Sequence, residues 1–338
     1  MKQNITITDI AREAGVSIAT VSRVLNGKVN VASEKKDKIE AIIKKYDFHP
    51  NALARGLINT RAGIIGMITA DIRNLYYSSL YVSCETAAAE QGYNLILCNS
   101  YGEREKEFEL LEKLAHQNVD AIILLGGAVD DVNTDPAFAD RVNAISQHIP
   151  FVITGHLTGT SCTQVNINTV KAMTIVMQYL SKNPLLKKIA LIGGTNKAKN
   201  TLDLRTCFQK MLKQADLEYL PAFDIQNGRY DMAGGYHSMN HLLADGHRPD
   251  AVIAVNDFTA IGAYRSIQEH KLSIPSDISL ISFDNTYLCT ITQPPLTSVS
   301  YNYQLFGKTI IDNALALIDG KEVPQETLIT PELIIRES

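Results

Sequence analysis

The fold is decided by the stretch Thr6-Ile7-Thr8-Asp9-Ile10-Ala11-Arg12-Glu13-Ala14-Gly15-Val16-Ser17-Ile18-Ala19-Thr20-Val21-Ser22-Arg23-Val24-Leu25-Asn26-Gly27, which reads as two short helices meeting at a glycine corner. Thr6 suits an N-cap, Asp9 stands three positions on to answer it, and Ile7, Ile10, Ala11 and Ala14 recur at helical spacing. Gly15 supplies permissive backbone for the sharp turn, and Val16 can plug the corner. Ser17 can cap a second helix whose apolar side is Val21, Val24 and Leu25. That helix is expected to expose Ile18, Ala19, Thr20, Ser22 and Arg23, short side chains and one long cation, which suits entry into a DNA major groove. An ordinary helical corner in a bundle is the alternative.

Outward from this pair, Ser33 can cap a third helix carrying Ile39, Ile42, Ile43 and Tyr46, so residues 1–48 are expected to form a small all-α head. Residues 49–61 are expected to form a hinge, because a polar turn with Pro50 leads into a helix too short to hold alone and interrupted by Gly56. A plain linker has the same composition. Residues 1–61 hold 11 Lys and Arg against 6 Asp and Glu, leaving 21 against 30 for the remainder. A basic head on an acidic body fits the binding of phosphates.

From Gly63 apolar runs alternate with amphipathic helical stretches: Ile64 to Ile68, a helix near Tyr77 to Gln91, Asn94 to Cys98, a helix near Glu105 to Gln117, and Ala121 to Leu125. The rhythm continues through Pro150 to Ile153, Lys188 to Ile192, Ala251 to Val255 and Ile278 to Phe283, then a helix near Leu305 to Asp319. This is the pattern of an α/β protein with parallel sheets. It has too many strands for one compact half, so two α/β lobes with crossing strands and a cleft between them are expected. Lobe one is expected at about 62–158 and 290–321, and lobe two at about 159–289 and 322–338.

Five scattered cysteines without metal-ligand spacing read as reduced thiols in a cytosol, and no disulfide, metal or cofactor is expected. The start shows no apolar signal core, and the longest apolar runs are too short to span a bilayer, so a cytoplasmic protein without membrane contact is expected. Gly193-Gly194 lacks the other glycines of a dinucleotide loop, and Gly307-Lys308-Thr309 lacks the upstream glycine of a phosphate loop. There is no nucleophile elbow, no His-Glu-x-x-His and no spaced cluster among the eight histidines, so catalysis is unsupported.

Three features at matching spacing make the chain resemble the lactose and galactose repressor family from end to end. They are Val16-Ser17-x-x-Thr20-Val21-Ser22-Arg23-Val24-Leu25-Asn26, Pro50-Asn51-x-x-Ala54-Arg55-x-Leu57, and the body phrases Ala254-Val255-Asn256-Asp257, Ser282-Phe283-Asp284-Asn285 and Pro294-Pro295-Leu296-Thr297-Ser298-Val299. The resemblance implies a homodimeric transcriptional regulator, a repressor of carbohydrate-use genes in the first instance. Its heads would read double-stranded operator DNA, and its body would resemble periplasmic sugar-binding proteins and answer a small molecule. DNA contacts are then expected from Thr6, Ser17, Ile18, Ala19, Thr20, Ser22, Arg23 and Asn26 in the head, and from Asn51, Ala54 and Leu57 in the hinge.

Asp71, Asn74 and Tyr76 of the first lobe and Arg205, Tyr230, Asn256 and Asp284 of the second are the implied effector residues, a set that suits a carbohydrate. Asn256 and Asp284, each following a strand, can equally be plain helix caps. The chain departs from the family at Gly155-His156, usually Asp-Arg, at Asn168-Thr169, usually Asp-Asn, and at Leu204, usually an effector-binding Arg. Arg205 stands one residue late, which turns its side chain by about 100°. Without the usual Asp and Arg, the cleft is expected to prefer something other than the commonest hexoses. A sugar-binding receptor or a sugar-converting enzyme is the rival reading; the first would need a signal peptide and no basic head, the second a convergent acid, base or nucleophile.

Overall fold

A computed structural model describes residues 5–25, 31–46, 48 and 61–338. The chain divides into two compact units, Met1–Ala62 and Gly63–Ser338. Expected contacts from Asn26, Asn51, Ala54 and Leu57, and the hinge itself, lie outside the described residues.

In the first unit, α1 (Ile7–Ala14) opens on a full capping box: Thr6 accepts from the Asp9 amide, while the Asp9 carboxylate accepts from the Thr6 amide at 3.0 Å. It ends at Gly15, whose φ of 69° is the left-handed conformation a glycine adopts without strain. Helices α2 (Ile18–Leu25) and α3 (Ser33–Tyr46) complete the head. Ile10, Ala11, Ala14, Val21, Ile39 and Ile42 are buried together, with Val16, Val24, Leu25 and Ile43 packed around them.

The second unit holds two six-stranded sheets. The strands are β1 (Ile64–Thr69), β2 (Asn94–Asn99), β3 (Ala121–Leu125), β4 (Phe151–Thr154), β5 (Thr163–Ile167), β6 (Ile189–Ile192), β7 (Asp224–Ile225), β8 (Ala251–Ala254), β9 (Ser279–Asp284), β10 (Thr297–Ser300), β11 (Glu326–Ile329) and β12 (Glu332–Ile334). The first sheet runs β11-β5-β4-β3-β1-β2, parallel throughout. The second runs β12-β10-β9-β8-β6-β7, parallel except where β12 meets β10.

Helices cover both faces of each sheet, as strands buried on both sides require. On the first sheet, α4 (Leu75–Glu90) and α11 (Tyr303–Ile318) bury Leu80, Cys84, Phe306 and Ile310 against one face. The opposite face takes Leu111, Leu114, Phe138 and Val142 from α5 (Arg104–His116) and α6 (Pro136–Ser146). The second sheet is flanked by α7 (Thr169–Leu180) and α8 (Lys199–Gln214) on one face and by α9 (Met232–Ala244) and α10 (Asp257–Glu269) on the other.

The partition of strands corrects the expected lobe boundaries. Strand β5 belongs to the first sheet rather than the second lobe, and β10 belongs to the second sheet rather than the first lobe. Residues 322–338 do not stay in one lobe, since β11 joins the first sheet and β12 the second. A buried parallel strand reads as a plain apolar run, so sequence periodicity reveals its existence but not its partner. The chain therefore passes between the lobes three times, after β5, between β10 and α11, and between β11 and β12.

Candidate operator helix and effector cleft

In the head, α2 is held by its own start: the Ser17 Oγ accepts from the Thr20 amide at 3.2 Å and meets the Thr20 hydroxyl at 2.9 Å. Ile18 is 43 % exposed, Ala19 and Arg23 are exposed, and Thr20 is half-buried. The exposed side of α2 therefore carries Ile18, Ala19 and Arg23 together. Ser22 is a correction: it is only 8 % exposed. It follows Val21 and precedes Leu25 by one helical turn, which puts it on the shoulder of an apolar stripe wider than the three residues first assigned to it. Thr6 is exposed, but its hydroxyl is engaged with Asp9 at 2.6 Å.

In the body, the carboxyl ends of the two sheets face each other across the cleft. From the first lobe, the segment after β1 brings Asp71, Asn74 and Tyr76. Asp71 chelates the Arg73 guanidinium, with Nη2 at 2.7 Å, and that ion pair holds its carboxyl below the usual range. The Asn74 Oδ1 accepts from the Tyr76 amide at 3.0 Å as the cap of α4. Tyr76 lies edge-to-face with Tyr77, centroids 5.1 Å apart, and with Tyr301 and Tyr303, each at 6.0 Å. Burial raises the Tyr76 hydroxyl well above its usual range, and the charges of Asp130 and Asp284 add to this.

Asp130 ends a 3₁₀ turn, Gly127–Asp130, that follows β3. The Tyr77 hydroxyl donates to it at 3.3 Å. Burial nevertheless pushes the Asp130 carboxyl up to about 7, assisted by the negative charges of Asp131 and Glu107. Beside it lies Gly155, at φ 116°, where an added Cβ would come within 2.3 Å of the Val129 carbonyl oxygen. The backbone here leaves no room for the aspartate usual in the resembling family.

From the second lobe, Tyr230 bonds the Thr201 hydroxyl at 3.0 Å, and its burial raises its own hydroxyl, with Asp130 contributing across the cleft. Asn256 has both ends of its amide occupied: Oδ1 accepts from the Thr259 amide at 2.9 Å and Nδ2 donates to the Tyr230 carbonyl at 2.9 Å. It caps α10 and fixes Tyr230. Asp284 caps nothing. It sits at φ 96° and is 7 % exposed, and burial, then the charge of Asp257, raises its carboxyl well above the usual range.

The loop beyond Asp284 is pinned by Asp257, whose carboxylate accepts from the Ser282 hydroxyl at 2.5 Å, the Ser298 hydroxyl at 2.8 Å, and the Thr286 amide and hydroxyl at 2.6 and 2.8 Å. Arg205 is 2 % exposed and is a wall residue of the second lobe. Its Nε donates to Asp224 at 2.7 Å and its Nη2 to the carbonyls of Gly193 and Ile225, while Nη1 is buried without a partner. The one-residue offset turns the guanidinium into an ion pair under the strand ends.

The structure thus gathers Tyr76, Tyr230 and Asp284 with three groups the sequence reading did not name: Asp130, Tyr301 and Tyr303. Asn74, Asn256 and Arg205 serve mainly to hold the walls, and Asp71 is tied to Arg73. The aromatic pair in Ser300-Tyr301-Asn302-Tyr303 was the available signal for the missed tyrosines, since it follows a strand directly. Among the described residues there is no cluster of three or more metal-ligating side chains, and no helix is long and apolar enough to cross a membrane.

Residues 6–51 match the family described as bacterial regulatory proteins, lacI family, and residues 182–338 match the periplasmic binding protein-like domain. Catabolite control protein A of Staphylococcus xylosus is 33% identical over 331 residues, 98% of this chain and 97% of that protein. The protein of the same name from Staphylococcus aureus strain Mu50 is 34% identical over 332 residues, again 98% of this chain and 97% of the other. Among solved structures, the lac repressor dimer bound to operator and the anti-inducer ONPF aligns with a TM-score of 0.87 at 24% identity over 99% of both chains. The transcriptional regulator CelR in complex with cellobiose aligns at 0.73 and 22% identity, also over 99% of each.

Proposed function

Because this chain belongs to the lacI family of bacterial regulatory proteins, we propose that it represses carbohydrate-use genes by binding a two-fold symmetric operator as a homodimer, and that a small molecule in its cleft sets that affinity. It is a DNA-binding transcriptional regulator, as its relatives are. Arg23 reads a guanine edge, Ile18 and Ala19 meet apolar base edges, and Thr6, Ser17 and Thr20 position the helix on phosphates. Asn26, Asn51, Ala54 and Leu57 complete the contact set, with Leu57 as a wedge in the minor groove. The protein works in the cytoplasm, without catalysis.

One observation carries the effector reading: Tyr76 after β1 lies edge-to-face with Tyr301 after β10, centroids 6.0 Å apart, so side chains of the two lobes meet where the Asp284 charge reaches Tyr76 and the Asp130 charge reaches Tyr230. A molecule touching both lobes is held fully only when they close, so it favours the closed state by its differential affinity. Carbohydrate chemistry fits the hydroxyls, carboxylates and rings of the walls, and the CelR–cellobiose complex is a precedent on this fold.

The test combines a thermal-shift screen of sugars, sugar phosphates and nucleobases with operator binding by fluorescence anisotropy. Asp284→Ala should keep operator affinity and lose the response to any compound that stabilises the native chain. A variant that responds at the same compound concentration as the native chain would place the effector elsewhere.

A further inference from the structure

The backbones of the two lobes pair where Asp131 and Ala198 form an antiparallel bridge and the Val132 amide donates to the Lys197 carbonyl. Each of these loops is braced by side chains of its own lobe. In the first lobe, residues 126–131 are clamped between α4 and α5. An added Cβ would come within 2.2 Å of the Tyr77 hydroxyl at Gly126, and within 1.7 Å of a Glu107 carboxylate oxygen at Gly127. Both Glu107 oxygens accept from the Ala128 amide, at 3.2 and 3.1 Å. Arg104 joins this brace to the bridge. Its Nη1 donates to Glu107 at 2.7 Å, its Nη2 donates to Asp131, and its guanidinium lies 5.1 Å from the centroid of the Phe138 ring.

In the second lobe the brace is Thr201, which is 2 % exposed in the first turn of α8. Its hydroxyl lies 2.6 Å from the Thr195 carbonyl and 3.2 Å from the Ala198 carbonyl, the two ends of the short loop that carries Lys197. A hydroxyl has a single proton to donate. With that proton directed at the loop, the Thr201 oxygen is left to accept from the Tyr230 hydroxyl, 3.0 Å away. Gly194 keeps room for the pair, since an added Cβ there would come within 2.6 Å of Thr201 and 3.1 Å of Tyr230. The donors therefore run in one direction, from Tyr230 through Thr201 to the loop that meets the first lobe.

We propose that these two loops form a latch that sets how readily the lobes part, and that Thr201 is its positioning residue, linking the Tyr230 hydroxyl to the place of the Lys197 carbonyl. Without the Thr201 hydroxyl, the Thr195 and Ala198 carbonyls lose their side-chain donor, the loop relaxes, and the Val132 amide loses its partner in the other lobe. The ion pair of Arg104 with Asp131, whose side chain is 45 % exposed, adds a part that salt screens. The latch rests on contacts within the chain, whatever the cleft binds.

The experiment is hydrogen exchange of the full chain, read by mass spectrometry with fragmentation to single amides, at Val132 in the first lobe and along β8 in the second. In the native chain the Val132 amide should exchange about a hundredfold more slowly than an unstructured amide. Thr201→Val should speed it about tenfold, Thr201→Ser should restore the native rate, and Tyr230→Phe should speed it roughly threefold. The β8 amides should keep their native rates in all three variants. Free exchange of Val132 in the native chain overturns the latch. An unchanged Val132 rate in Thr201→Val overturns the role of Thr201, and so does equal acceleration along β8, which reports a second lobe weakened as a whole. Where Thr201→Val fails to fold, Tyr230→Phe tests the same link, and an unchanged Val132 rate there breaks it. Raising NaCl to about 1 M should speed Val132 exchange roughly threefold in the native chain and leave Asp131→Asn, already faster, unmoved. A native chain indifferent to salt overturns the Arg104 brace.

Discussion

The Val132 amide donates to the Lys197 carbonyl at 2.9 Å, joining the loop after β3 in one lobe to the loop after β6 in the other. With the bridge between Asp131 and Ala198, it is a direct backbone tie across the mouth of the cleft. Asp131 already has ψ of 137°, the extended conformation favoured before proline. Val132→Pro should therefore remove the donor and shift the balance toward open lobes by about 1 kcal/mol, roughly fivefold. Small-angle scattering should record a larger radius of gyration for the body; an unchanged value means the tie does not hold closure.

Asp130 gives the body a pH dependence of definite sign. Its carboxyl titrates at about 7 in the folded chain against 3.8 ordinarily, so the folded state binds the proton more tightly. Stability then falls as pH rises from about 4 to about 7 and levels off above, and Asp284 acts in the same direction. Asp130→Asn should be neutral near pH 4 and raise the melting temperature by roughly 2–4 °C at pH 8, about the effect of 1 kcal/mol. Identical pH profiles for the two proteins would remove Asp130 as the source.

Asp257 is expected to be a stability hot spot rather than a ligand residue. Losing its carboxylate strands donors from three segments in a site 1 % exposed. Asp257→Ala should cost about 3 kcal/mol, or roughly 6–12 °C by calorimetry. Asp257→Asn should recover more than half of this, because its oxygen can still accept from the Thr286 amide while its amide donates to the rotatable serine hydroxyls. A melting temperature for the alanine variant within a degree of native would contradict the assignment.

On the operator side, Arg23→Ala should lower preference for the specific site over random DNA by roughly 1–3 kcal/mol, the value of one good bidentate base contact. Competition binding with both DNAs measures it. Equal weakening of the two would make Arg23 a phosphate anchor.

The head was legible almost whole because its signals are local: Thr6 with Asp9, the turn at Gly15, and an apolar stripe at helical spacing in each short helix. Alternation of strands and helices in the body was legible for the same reason. Sheet membership was not, because β5, β10 and β11 are assigned by pairing partners far away in sequence. At the proposed cleft, Tyr76, Tyr230 and Asp284 were named by resemblance, whereas Asp130 was not named. Nothing in Gly126-Gly127-Ala128-Val129-Asp130 reveals that its carboxylate turns toward Tyr77 rather than solvent. Arg205 shows the converse: a charged residue beside an expected position, turned by the helix into an ion pair with Asp224.

The three passages of the chain between lobes also bear on how the body is made. Residues 326–334 supply an edge strand to each sheet, β11 to the first and β12 to the second. During synthesis, both sheets therefore wait with β5 and β10 uncovered until this segment has left the ribosome. Unpaired edges of this kind invite pairing with neighbouring nascent copies. Newly made chains are thus most vulnerable until residue 334 has emerged, and a chain cut before residue 326 lacks an edge strand in both lobes at once.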